Sequence, residues 1–333
     1  MSGAPMNCPL DPQLAAVVAA MRANHAPPPF SGTATEARAR MARAVGHARE
    51  RFPLIAVASV EDAIAEHGGQ RVPVRIYRPH HTQGTLPTVL FFHGGGFVLG
   101  SVELMDDIAR KLCRDLAAVL VSVDYRLAPE HPFPAAHDDA LVATHWAIRN
   151  VAALGGDAHR IAIAGESAGG NLAACTVLAL HEQGMHLAAQ LLVVPGVDMA
   201  RDTARIEANG RDYPMLTPAD LRDIARLYMG DATEAAAACP PSPLHAPRLR
   251  GLPPTVIALA GHDPLHQEGL AYARRLEAAD VPVTLLRFDD MFHPFFGFFE
   301  LSRAAGLAND AICQTFSTLI HTPRCSDKSR RHT

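Results

Sequence analysis

Ser167 stands at the bend of Ile161-Ala162-Ile163-Ala164-Gly165-Glu166-Ser167-Ala168-Gly169-Gly170-Asn171, where a strand-like apolar run meets small residues and then a helix-like run. A serine so placed is a candidate nucleophile. The sharp turn brings neighbouring backbone into contact, so Gly165 and Gly169 sit where a Cβ would find no room. The backbone N–H of Ala168, opening the following helix, is expected to point at the same spot. A second segment supplies partners for it. The apolar run Thr88-Val89-Leu90-Phe91-Phe92 delivers His93-Gly94-Gly95-Gly96-Phe97. Consecutive glycines expose N–H groups that can converge to within about 3 Å of a developing alkoxide. Gly94 and Gly95 are therefore candidate oxyanion donors together with Ala168. A dinucleotide fingerprint is excluded, because Leu99 stands where its third glycine belongs.

The nucleophile needs a base, and eighteen histidines offer too many. In the α/β-hydrolase arrangement the partners follow in the order Ser, Asp or Glu, His, each on a loop after a strand. The strand-like Val281–Phe288 leads into Asp289-Asp290-Met291-Phe292-His293-Pro294, which puts His293 in the expected loop. His321 and His332 lie in or beside a polar tail, and His266 is three residues from the foremost acid candidate. That acid is Asp263, which follows Thr255–Gly261 and precedes Pro264, whose ring fixes a turn and holds the carboxylate in one orientation. Asp198, beyond the run Leu191–Pro195, is the runner-up. Asp289 and Asp290 read as loop-capping groups.

Helical spacing in Leu14, Val17, Val18 and Met21 predicts a helix over 13–24, with an Arg/Ala-rich helix over 35–50. From about residue 54 strand and helix alternate, with strands expected at Arg71–Tyr77, Thr88–Phe92, Ala118–Val123, Ile161–Ala164, Gln190–Val194, Thr255–Ala260 and Val283–Phe288. That rhythm argues an α/β fold, a mostly parallel sheet with helices on both faces. Met199–Ala232 breaks it with an irregular lead-in, then Thr217 as N-cap and Pro218 at the first helical position. The expected organisation is a helical cap in 1–50, a catalytic domain in 51–321 with a cap insertion around 199–232, and a disordered tail in 322–333.

Four blocks together resemble the hormone-sensitive-lipase-type (bacterial family IV) carboxylesterases of the α/β-hydrolase superfamily. They are His93-Gly94-Gly95-Gly96, Asp124–Ala136 with its Tyr-Arg-Leu-Ala-Pro-Glu core, Gly165–Asn171, and Asp263-Pro264-Leu265 with His293. The opening Leu10-Asp11-Pro12-Gln13-Leu14 is similar to the family's amino-terminal cap. The resemblance implies a Ser167–His293–Asp263 triad, an acyl-enzyme, short- to medium-chain carboxylic esters as substrates, no cofactor, and room for a homodimer. Amide hydrolysis, other triad chemistry and a non-catalytic ligand-binding relative are the alternatives. The chain departs from the family at Glu166, usually Asp, at Pro294, usually Gly, and at Gln267, commonly Asp.

Composition fits one large core with an accessory cap, at 48% hydrophobic and 19% charged over 333 residues. A net charge of −4 offers no basic field for nucleic acid or an anionic membrane. The six cysteines lack zinc-type spacing and read as reduced thiols, Cys113 and Cys175 in the core; with no signal-peptide pattern, this points to the cytoplasm. No apolar run reaches the roughly 20 residues of a membrane span. Phe292, Phe295, Phe296, Phe298 and Phe299 read as a helix packed beside the site. His262 and His266 have metal-pair spacing but lack the accompanying glutamate of a zinc helix, so no metal is expected. Asp124-Tyr125-Arg126 and Pro129-Glu130-His131-Pro132 read as an internal scaffold of ion pairs and turns.

Overall fold

The computed structural model describes residues 8–80 and 84–322. The expected tail beyond Thr322, with Cys325 and His332, lies outside them. Two helices lead, α1 (Pro12–Ala23) and α2 (Ala34–Arg51). Asp11 caps α1 by accepting from the N–H groups of Gln13 and Leu14, and Thr33 and Glu36 cap α2 reciprocally. There follow β1 (Ser59–His67), β2 (Gln70–Arg78), β3 (Leu86–Phe92), α3 (Asp106–Leu116), β4 (Val119–Val123), α4 (Ala135–Asn150), β5 (Gly156–Glu166) and α5 (Ala168–Glu182). The chain continues through β6 (Gln190–Val193), α6 (Thr203–Ala208), α7 (Pro218–Met229), β7 (Thr255–His262), α8 (His266–Ala278), β8 (Val283–Phe292) and α9 (Arg303–His321).

The strands form one eight-stranded sheet in the order β1-β2-β4-β3-β5-β6-β7-β8, parallel throughout except that β2 runs antiparallel to both β1 and β4. Strands β3, β4 and β6 and the stretch of β5 from Ile161 to Glu166 are buried almost end to end, as expected of strands covered on both faces. Alternate residues serve opposite layers. Leu90 and Phe92 join Ala168, Leu172 and Tyr272 on the side of α4, α5 and α8. Val89 and Phe91 join Leu112 and Phe316 on the side of α3 and α9.

Each strand read from the sequence is present, several of them longer than expected. Strand β8 runs on to Phe292, so Asp289 and Asp290 lie within it rather than in a capping loop. Strand β1 was not foreseen. Its residues are mostly exposed, and it is held by a two-residue hairpin in which Gly68 and Gly69 both take positive φ, 59° and 80°. The phenylalanine cluster forms a short 3₁₀ turn, Phe295–Phe298, rather than a full helix, and its buried rings pack with α9. Among the described residues no helix is long and apolar enough to cross a membrane.

Candidate active site

Three consecutive parallel crossovers bring the candidate residues to one edge. Ser167 follows β5, Asp263 follows β7 and His293 follows β8, all at the carboxyl ends of their strands. The turn at Ser167 is held sterically. A Cβ on Gly165 would come within 2.1 Å of the Gly169 carbonyl oxygen, and one on Gly169 within 1.9 Å of that of Phe92. Ser167 itself takes φ 56° and ψ −115°, a strained conformation for a residue with a side chain. Its N–H donates to Val193 O at 2.9 Å, tying the turn to β6.

The Ser167 hydroxyl lies 2.9 Å from His293 Nε2, and His293 Nδ1 lies 3.0 Å from Asp263 Oδ2. The simplest assignment has Ser167 donating to Nε2 and Nδ1–H donating to the carboxylate. Asp263 is fixed further by accepting from Leu265 N–H at 2.8 Å, the turn foreseen at Pro264. All three side chains are buried, Asp263 most deeply. Asp198 does not join them. It accepts from Ala200 N–H and pairs with His245 at 3.1 Å. His266 binds the Ala260 carbonyl and His321 that of Leu116. His262 is held by the Cys8 carbonyl. No group of three or more potential ligands that could hold a metal occurs among the described residues.

The glycine loop curls beside the serine. Gly95 has φ 119°, and a Cβ there would strike the Leu99 carbonyl oxygen at 2.2 Å, so only glycine fits. The N–H groups of Gly94 and Gly95 donate to no described residue, and Ala168 is the first residue of α5, where N–H groups have no helical acceptor. Beneath the loop Tyr125 donates to the His93 carbonyl at 2.8 Å and stacks on its ring. Burial pushes His93 below the ordinary imidazole range. Arg126 pairs with Asp139 and Arg38 with Glu130, which gives Arg126 and Glu130 the scaffold character expected of their segments.

Several residues of the site were not legible in the sequence. Phe97, one residue past the loop, stacks on Tyr228 of α7 with centroids 3.8 Å apart. Tyr228 bonds His137 Nδ1 at 2.6 Å, and His137 Nε2 bonds Asn171 Oδ1 at 3.0 Å. The Asn171 amide in turn donates to the carbonyls of Gly196 and Pro241. Ile224 and Phe30 lie over Gly96, where a Cβ would meet them at 2.7 and 3.0 Å. These contacts join elements distant in sequence, and only the apolar spacing on α7 hinted at a covered face. Glu268, next to the family departure at Gln267, forms a buried pair with Arg201 at 2.8 Å and accepts from Val197 N–H.

A family model described as the alpha/beta hydrolase fold matches residues 89–297, more than half of the chain. The chain belongs to this family. Its hormone-sensitive-lipase-type character, seen in the motifs, agrees with its relatives. It is 38% identical over 268 residues to the carboxylesterase NlhH of Mycobacterium tuberculosis, covering 78% of this chain and 82% of that one. It is 37% identical over 260 residues to an arylesterase of Saccharolobus solfataricus, covering 75% and 83%. Among solved structures, an esterase of Pyrobaculum calidifontis superposes with a TM-score of 0.85 at 34% identity, covering 93% of this chain and 99% of that one.

Proposed function

We propose that Ser167, His293 and Asp263 carry out two-step ester hydrolysis in this carboxylesterase. The observation that carries the reading is the unbroken line Asp263 Oδ2, His293, Ser167 Oγ, with contacts of 3.0 and 2.9 Å. Ser167 attacks the ester carbonyl while His293 takes its proton, and Asp263 keeps the imidazole in the right tautomer and stabilises the imidazolium. The N–H groups of Gly94, Gly95 and Ala168 hold the oxyanion. His293 returns the proton to the departing alcohol, and water then repeats the sequence on the acyl-enzyme. The reaction needs no cofactor.

The substrates are short- to medium-chain esters. Ile224 and Phe30, pressed over Gly96, support a pocket bounded by residues 1–50 and 199–232 acting as a cap over the 51–321 domain. The test is a series of p-nitrophenyl esters graded in acyl length, with matched anilides, run on wild type and Ser167→Ala. Short and medium esters should turn over and the anilides should not, with the variant inactive on all. Turnover of anilides at rates matching the esters would move the reading to an amidase.

A further inference from the structure

Helix α2 buries a single residue fully, Ala37, yet the next residue, Arg38, reaches the chain beside the active site with every arm of its guanidinium. Nε donates to the Val98 carbonyl at 2.8 Å, and Nη2 donates to the Ala128 carbonyl and to Glu130 Oε2, both at 2.7 Å. Nη1 completes a two-pronged pair by donating to Glu130 Oε1 at 2.8 Å. Val98 lies on the outer limb of the glycine loop. Its N–H and that of Leu99 donate to the Gly95 carbonyl at 3.0 and 2.8 Å, and the Phe97 carbonyl accepts from Ala128 N–H at 2.9 Å. Phe97, Val98 and Ala128 are all buried, so their carbonyls depend on protein donors.

The inner limb carries the N–H groups of Gly94 and Gly95. Gly95 joins the two limbs at φ 119°, and its carbonyl is held from the outer limb by Val98 and Leu99. A glycine turns freely about both its backbone bonds unless its neighbours are pinned. Here two successive carbonyls of the outer limb are pinned, that of Phe97 by backbone and that of Val98 by the Arg38 side chain. Resting on the reading of Gly94 and Gly95 as oxyanion donors, we propose that Arg38 is a positioning residue for the glycine loop, latching it to α2 so that both N–H groups face the developing alkoxide. Charge is not the means, since Glu130 neutralises the guanidinium. Three acceptors on two segments require a planar fork with fixed directions, which a lysine cannot supply. Without the fork the buried carbonyls of Val98 and Ala128 lose their donor, and the limb has to shift to find another. A shift of about 1 Å at reacting groups costs on the order of a hundredfold in rate.

The experiment measures kcat and KM for a short ester, together with the inhibition constant of a trifluoromethyl ketone, on wild type, Arg38→Ala, Arg38→Lys and Glu130→Gln, with thermal unfolding to confirm that each is folded. The ketone reports on the loop directly. Ser167 Oγ bonds to its carbonyl carbon, the carbonyl π pair moves onto oxygen as an oxyanion, and the hydroxyl proton passes to His293. In Arg38→Ala kcat should fall about tenfold or more with KM little changed, and the ketone should bind more weakly by the same factor as kcat/KM falls. Arg38→Lys should behave alike, and it carries the test if Arg38→Ala does not fold. Glu130→Gln leaves the guanidinium on both carbonyls and should stay within about threefold of wild type, as half-exposed ion pairs contribute little. A folded Arg38→Ala or Arg38→Lys enzyme with wild-type kcat and wild-type ketone affinity would overturn the proposal, even with a lower unfolding temperature, because a residue that only fastens α2 leaves the oxyanion donors in place. A loss in Glu130→Gln as large as in Arg38→Ala would overturn it too, by moving the effect to the ion pair. Failure of the triad reading looks different, with wild type and Ser167→Ala indistinguishable on every ester.

Discussion

The turn that carries Ser167 and the helix α7 above it are held in opposite ways. At the turn, backbone meets backbone: Gly165 on Gly169, Gly169 on Phe92, Gly95 on Leu99, each too close for even one added carbon. Above it, α7 is held mostly by side chains, through Tyr228 on Phe97 and His137, and Ile224 on the face of Gly96, with one backbone bond from Phe133 N–H to the Tyr228 carbonyl at 2.7 Å. Backbone contacts leave no alternative arrangement, whereas side-chain contacts can be repacked at moderate cost. The proposed reacting geometry is thus fixed by the sheet, and the region proposed to meet the substrate can change without disturbing it.

The contrast is broken most severely at the turn. Gly169→Ala should abolish hydrolysis and lower the yield of folded protein, since the methyl group has to displace the Phe92 carbonyl at the end of β3. Activity and thermal unfolding read this together; a stable, active variant would mean the turn is looser than its contacts imply. Next comes the acid. Asp263→Asn should lower kcat by up to about 10⁴, because the amide no longer holds the required tautomer. Asp198→Asn should change kcat little, its partners being His245 and Ala200. The reverse order would move the acid to Asp198.

At α7 the effects should be smaller and of another kind. Ile224→Ala opens space over Gly96 and should extend activity to longer acyl chains while leaving the short-chain rate within about tenfold, as one extra pocket methylene is worth about 1–3 kcal/mol. A rate profile over acyl length with unchanged shape would remove Ile224 from the pocket wall. The smallest effect is a pH dependence of stability. Burial holds His137 neutral down to about 4, below the ordinary imidazole value near 6.5. The unfolded chain therefore takes up that proton first, so the stability His137 contributes is complete above about pH 6.5 and is lost as pH falls toward 4. Urea unfolding at pH 7 and pH 5 should show a loss that shrinks in a folded His137→Gln variant.

What could be read from the sequence follows the same division. Ser167, His293, Asp263 and the loop at Gly94 lie in short contiguous motifs, because local chain geometry and strand order are enough to bring them together. The capping of α7 by Thr217 and Pro218 was legible for the same reason, being a matter of neighbouring residues. Strand β1 was missed because its mostly exposed residues mix apolar and charged types without a regular alternation, and its one clear signal is the pair Gly68-Gly69 ahead of β2. The His137–Tyr228–Asn171 chain and the placing of Phe30 over Gly96 depend on how elements distant in sequence settle on one another. No local spacing encodes that.

The central claim is that Ser167 is a nucleophile made reactive by His293, and trapping it covalently tests this most directly. Wild-type protein treated with a fluorophosphonate probe should gain the mass of one adduct, mapping by peptide sequencing to Ser167, with parallel loss of ester hydrolysis. Ser167→Ala should take up none while unfolding at close to the wild-type temperature. An adduct on another residue, or hydrolysis that persists at the wild-type rate in Ser167→Ala, would contradict the account.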